Sequence, residues 1–227
     1  MMPVQELGAL AERLAVEKAE DSVVAPKNED PPDEQRRRGA AMGRLRAARD
    51  VEELAARAAA QRTAAAAERA VWLGASLADL GTSTGHSRQA ARKRWPGLGE
   101  IYRRRKWLAE HIPDIKHVAG LLDQHARELR PSEFHTEEQL ADGLRAVRST
   151  ARWCAAEFGA AADGRPTADA DPVARWRELD VLVGGHLRHV VEAAGPSDTD
   201  QADFALHVTR GLVGYYDHAV AGTDADD

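Results

Sequence analysis

Apolar side chains in this chain recur every three or four residues, and nowhere do they alternate with the period of two that marks a half-buried strand. Leu7, Leu10 and Leu14 give an amphipathic helix within residues 1–18, too short to persist unless it packs on another element. Residues 19–35 hold three prolines, many acids and no periodicity, so they read as a flexible acidic linker. From Gln35 to Leu73 there is no proline and no turn cluster, while alanine, arginine and glutamate dominate. That composition predicts one long helix or two in tandem, weakened at its start by Gly39 and Gly43. Its larger apolar residues, Leu45, Val51 and Leu54, give way to an alanine surface until Val71, Trp72 and Leu73. Such a stripe fits a close-packed dimer seam but lacks the large a and d residues of a coiled coil.

Four further helical patterns follow Pro113. Residues 114–129 offer Ile115, Val118, Leu122 and Leu129. Residues 137–158, opened by the cap candidate Thr136, repeat Leu140, Leu144, Val147, Ala151, Cys154 and Phe158. After a loop of Gly, Ala and Asp at 159–171, Asp171-Pro172 supplies an N-cap and first helical residue. The helix that follows carries Trp176, Leu179, Leu182 and Val190, with Gly184-Gly185 as a point of interruption. Gly195-Pro196 separates it from a last helix with Phe204, Val208, Leu212 and Tyr215 on one face. The expectation is an all-α fold: a central helix-turn-helix module at 36–111, an antiparallel helical bundle at 113–220 and a disordered tail at 221–227.

The central module rests on residues 76–95, SLADLGTSTGHSRQAARKRW. Leu77 and Leu80 give a first short helix its buried face, Gly81 allows a close helix crossing, and Gly85 suits a turn that needs positive φ. Ser87 can cap a second helix, on which the small Ala90 and Ala91 form an inner face and Trp95 closes the end. Arg88, Gln89 and Arg92 then stand where recognition helices meet base edges, since arginine pairs with guanine and glutamine with adenine. Lys93 and Arg94 suit phosphates, as does the run Arg103, Arg104, Arg105 and Lys106 on a helix from Ile101 to His111 beyond Pro96-Gly97.

Charge distribution strengthens this reading. The net charge of −6 divides into −6 over residues 1–35, +11 over 36–107 and −11 over 108–227. A basic middle between acidic flanks is the footprint of a nucleic-acid-binding module among segments that do not bind it.

LADLGTSTGHSRQAARKRW resembles the helix-turn-helix of many regulators from high-GC Gram-positive bacteria, whose usual pattern is I-G-x-x-L-G-x-S-R-Q-A-A-x-x-R-[FW]. Leu80-Gly81, Gly85, Ser87-Arg88-Gln89-Ala90-Ala91 and Arg94-Trp95 match it, and an Ala- and Arg-rich helix precedes the motif as in that family. Thr84 stands where the pattern has a buried leucine. The resemblance covers between a tenth and a fifth of the chain and implies double-stranded DNA binding and transcription regulation.

Other chemistry is weaker. His186, His189 and Glu192 lie at helical spacing, but the paired Glu-x-x-His motif of carboxylate-bridged metal sites is absent, so neither metal nor other cofactor is expected. Cys154 falls on an apolar stripe and reads as a buried hydrophobe. There is no Walker loop, no G-x-S-x-G and no H-E-x-x-H, and no enzyme is expected. One cysteine, no long apolar segment and an acidic amphipathic N-terminus point to the cytoplasm and away from membranes. Expected partners are duplex DNA, a second copy of the chain and a protein docked on the bundle. The competing reading is an interaction or assembly adaptor whose basic helix-turn-helix docks an acidic protein surface.

Overall fold

The computed structural model describes residues 32–158 and 171–221, together with the single positions Ala9 and Arg13, both helical. The fold is all-α. Among the described residues there is no strand, only an isolated bridge between Pro131 and Ala194.

Within the continuously described residues the first helix is α1 (Pro32–Trp72), 41 residues long. Pro32, Asp33 and Glu34, assigned by the sequence to the linker, form its first turn. Proline has its φ preset there and acids favour the positive end of the helix dipole. Neither Gly39 nor Gly43 interrupts it. The remaining linker residues, the N-terminal helix apart from Ala9 and Arg13, residues 159–170 and residues 222–227 lie outside the described residues.

Next come α2 (Leu77–Thr84), α3 (Arg88–Arg94), α4 (Leu98–Glu110) and α5 (Ile112–His125). Then follow α6 (Glu137–Glu157), α7 (Pro172–Val181), a π-helical turn (Leu182–Leu187), α8 (Arg188–Ala193) and α9 (Asp200–Ala221). Thr136 caps α6 in a capping box with Gln139, and Asp171 caps α7 by accepting the Val173 N–H at 3.2 Å.

Two compact units divide the chain, Met1–Ala65 and Ala66–Asp227. In the first, Ala47 and Val51 are buried while Met42, Leu45 and Leu54 are exposed. The division falls within α1. Trp107 and Leu108 of α4 enter the same apolar core as Ile115, Leu122, Val147 and Leu206. Within the second unit, α9 packs on α5 and α4, α5 on α6, and α4 on α7. The end of α1 is tied to α7 by the Arg69–Asp171 pair (2.9 and 3.1 Å) and by Arg177 donating to Glu68 at 2.6 Å.

The inner face of α9 differs from the expected one. Phe204 and Tyr215 are more than half exposed, and Val208 and Leu212 are only partly buried. Ala202, Ala205, Leu206, Thr209, Val213 and Tyr216 face the core instead. Small alanines let α9 approach its neighbours closely, and the Tyr216 hydroxyl finds a partner in Asp180. Cys154 is buried, and loss of solvent pushes its thiol up to about 12, so it acts as a small hydrophobe.

Candidate nucleic-acid interface

Residues 76–98 fold as two short helices joined by a tight turn, each part fixed by local sequence. Ser76 caps α2: its hydroxyl accepts the Asp79 N–H at 3.2 Å, and the Asp79 carboxylate accepts the Ser76 N–H at 2.8 Å. These hydrogen bonds favour the ionised form and hold the Asp79 carboxyl below its ordinary value. Leu77, Leu80 and Gly81 are buried on one side of α2.

Gly85 ends α2 in the left-handed region, at φ 70° and ψ 26°. The His86 N–H then returns to the Gly81 carbonyl at 2.8 Å, closing the turn. Here Gly81 is indispensable: a Cβ on it would stand 2.7 Å from the His86 carbonyl oxygen and 3.0 Å from the Ser87 carbonyl carbon. The absence of that one carbon lets the chain entering α3 lie against α2. Thr84, where the resembled pattern has leucine, is exposed, and its hydroxyl donates to the Leu80 carbonyl at 2.8 Å.

Ser87 starts α3 as its N-cap, accepting the Ala90 N–H at 3.2 Å. Only Ala91 of α3 is buried, with no exposed surface at all; Ala90, expected on the inner face, points to solvent. A seven-residue helix has a single inward strip, and the crossing permitted by Gly81 gives that strip to Ala91. Trp95, at the C-cap, and Leu98, opening α4, are both buried. None of Leu77, Leu80, Ala91, Trp95 or Leu98 belongs to the core cluster of the bundle, so the module has a small apolar centre of its own.

Arg88, Gln89, Lys93 and Arg94 are exposed on α3, and Arg92 is half-buried. The Arg94 guanidinium lies 3.4 Å from His86 Nε2 and 5.3 Å from the Trp95 ring centroid. No acidic residue occurs between Asp79 and Glu100, so every charged side chain of α3 is basic.

The second basic run is placed differently. Arg103 donates from Nε to the Val220 carbonyl at 2.9 Å, and Arg104 pairs with Asp180 at 3.1 Å and with Glu100. Arg105 donates to the Trp72 carbonyl at 3.0 Å and lies over the Trp176 ring, 3.3 Å from its centroid. Burial, assisted by Arg175, lowers the Arg105 guanidinium to about 10. Of this run only Lys106 is exposed. The structure thus brings Ser87 to Arg94 together on one module and turns Arg103 to Arg105 towards the bundle. The i, i+4 spacing of Glu100 and Arg104 was visible in the sequence; the pairings with Trp176, Asp180 and Val220 come from tertiary packing and left no local signal.

No known protein family, no curated protein and no solved structure matches this chain. No described helix is long and apolar enough to cross a membrane.

Proposed function

We propose that the chain is a sequence-specific double-stranded DNA-binding protein, of the kind that regulates transcription, reading the major groove with α3. The observation that carries this reading is the exposed basic face of α3, presented by a helix pair whose crossing is fixed at Gly81, Gly85 and Ala91. Arg88 and Gln89, in the first turn of α3, and Arg92, one turn on, are the base readers. Lys93, Arg94 and Lys106 contact phosphates, and Ser87 holds the start of the helix to the backbone path. In this reading Arg103, Arg104 and Arg105 fix α4 on the bundle and position the module without touching DNA. A cytoplasmic setting goes with that role.

The test is fluorescence anisotropy of the full chain with labelled duplex at low salt, followed by a salt titration. Binding that falls steeply with salt supports the proposal. Absence of binding at low salt rejects it. Selection from a random duplex pool then reports the sequence read, and a palindromic result makes the binding unit a dimer, because half-site symmetry mirrors protein symmetry.

A further inference from the structure

The connection between α5 and α6 carries Phe134, the most exposed large apolar side chain among the described residues, at 83%. Its backbone is pinned on both sides. The Ser132 N–H donates to the Ala193 carbonyl at 2.8 Å, and the Gly195 N–H to the Arg130 carbonyl at 2.9 Å. The His135 N–H donates to the Ser132 carbonyl at 3.1 Å, closing a turn with Glu133 and Phe134 at its tip. A Cβ on Gly195 would stand 3.0 Å from the Pro131 carbonyl oxygen, so the connection between α8 and α9 lies directly against this segment. A ring held outward on a turn fixed in this way has little backbone freedom left to lose on binding.

Residues on both sides of the turn border a cavity of about 190 Å³. Leu129, Pro131, Leu140 and Leu144 give it apolar walls, and the exposed Arg127, Arg130 and Glu137 stand at its mouth. An apolar cavity of about 150 Å³ holds a benzene ring, so this one is sized for a single phenyl side chain. The charges beside ring and cavity are opposite. Glu133, next to the ring, and Arg127, at the cavity, are both exposed, and neither has an ion pair among the described residues. Arg130 is taken by Asp198, and Glu137 lies in the first turn of α6, where the helix dipole favours an acid.

We infer that Phe134 enters this cavity on a second copy of the chain while the Phe134 of that copy enters the first, making a two-fold dimer. In it Glu133 of each copy meets Arg127 of the other. The occupant is a second copy because ring and cavity share one surface: Phe134 lies in the chain between the cavity residues Pro131 and Glu137. A protrusion and a matching hollow side by side, flanked by opposite charges, are what a self-complementary two-fold contact needs.

Size sets the strength of the contact. A buried aromatic side chain removes about 150–250 Å² from water, and each ring covers a comparable area of its cavity. Two reciprocal insertions therefore bury about 600–1,000 Å², less than the about 1,200 Å² at which stable interfaces begin, so monomer and dimer exchange at micromolar concentration. Arg130 meets Asp198 just before α9, whereas Arg103 of α4 meets the Val220 carbonyl near the end of α9. The 22 residues of α9 separate these points by about 30 Å, which puts the contact at the end of the bundle remote from the start of α4.

The experiment is sedimentation velocity of the full chain without DNA over about 1–200 μM, so its outcome is independent of the DNA-binding reading. A concentration-dependent monomer–dimer equilibrium is expected. Phe134→Ala weakens it about ten-fold or more, as loss of a central aromatic anchor does, and leaves the melting temperature of the dilute chain unchanged. Ala141→Trp, at an exposed position on the cavity, fills the hollow and weakens the dimer to a similar degree. Mixing these two variants restores association, because the intact ring of one meets the intact cavity of the other. Glu133→Arg also weakens the dimer, and adding Arg127→Glu to the same chain recovers it. A chain that stays monomeric throughout overturns the proposal and leaves ring and cavity to a different protein. A dimer indifferent to Phe134→Ala or to Ala141→Trp overturns it as well, and mixed variants that associate no better than either alone overturn the reciprocal insertion.

Discussion

At the scale of single residues, two glycines of the helix-turn-helix do different work, and substitution separates them. Gly81 is hemmed in by backbone atoms, which cannot swing aside as a side-chain tip would. Gly81→Ala is therefore expected to lower stability by about 1–3 kcal/mol in denaturant titrations and to weaken DNA binding, because the crossing of α2 and α3 must open. Gly85 has open space around it, so Gly85→Ala costs only the left-handed backbone penalty, about 1–2 kcal/mol. On α3 the proposed readers and anchors also separate. Arg88→Ala and Gln89→Ala should each remove about 1–3 kcal/mol of discrimination at one base pair, read by competition with point-mutated sites. Lys93→Ala should weaken all sequences alike and flatten the salt dependence by about one unit of slope. Gly81, Gly85 and Ser87 were legible in the sequence because a tight turn and a cap depend on residues close to one another in the chain, here all between Gly81 and Ala90. Ala90 and Ala91 were not separable, since which of two adjacent alanines turns inward depends on the crossing of the helices.

Helix ends were the most legible elements, and they carry a pH dependence. Ser76, Thr136 and Asp171 each cap a helix, and two of them complete a capping box. Ser76→Ala should cost about 1 kcal/mol and loosen α2, measured by thermal melting. The carboxyls of Asp79, Asp171 and Asp203 are all held below their ordinary value, through hydrogen bonds from Ser76, Arg69 and Ser197 respectively. A carboxyl whose folded value lies below its unfolded value contributes stability that is fully present above the unfolded value. That contribution is lost as pH falls through the folded value. The melting temperature should therefore decline as pH drops from about 5 towards 2, and Arg69→Met should make the decline shallower by returning Asp171 towards its unfolded value. The faces of the helices were less legible than their ends. In α9 the large apolar residues Phe204 and Tyr215 suggested one stripe, while the core takes Ala202, Ala205 and Leu206. Close approach of neighbouring helices rewards small residues there, and that is a property of the packed bundle, not of the segment.

At the scale of the whole chain, the basic middle read from the sequence contains two populations of charge with different tasks. The excess of +11 over residues 36–107 counts Arg103, Arg104 and Arg105 as if they were available to phosphate. Their pairing with Val220, Asp180, Trp72 and Trp176 assigns them to the acidic bundle instead. α4 therefore joins the two: its first residue is buried with the helix-turn-helix, and its later residues are buried in the bundle. Substitution of the basic residues themselves should separate stability from the salt dependence of DNA binding on the two sides of Pro96-Gly97. Arg105→Ala removes a cation over Trp176 and the hydrogen bond that caps the Trp72 carbonyl, and Trp176→Ala opens a core cavity worth about 3–5 kcal/mol. Both should lower the melting temperature while leaving the salt slope of DNA binding unchanged, because neither removes a phosphate contact. Lys93→Ala should do the reverse, flattening the slope at constant melting temperature. If Arg105→Ala flattens the slope as Lys93→Ala does, the second basic run reaches DNA after all, and α4 leaves the bundle in the complex.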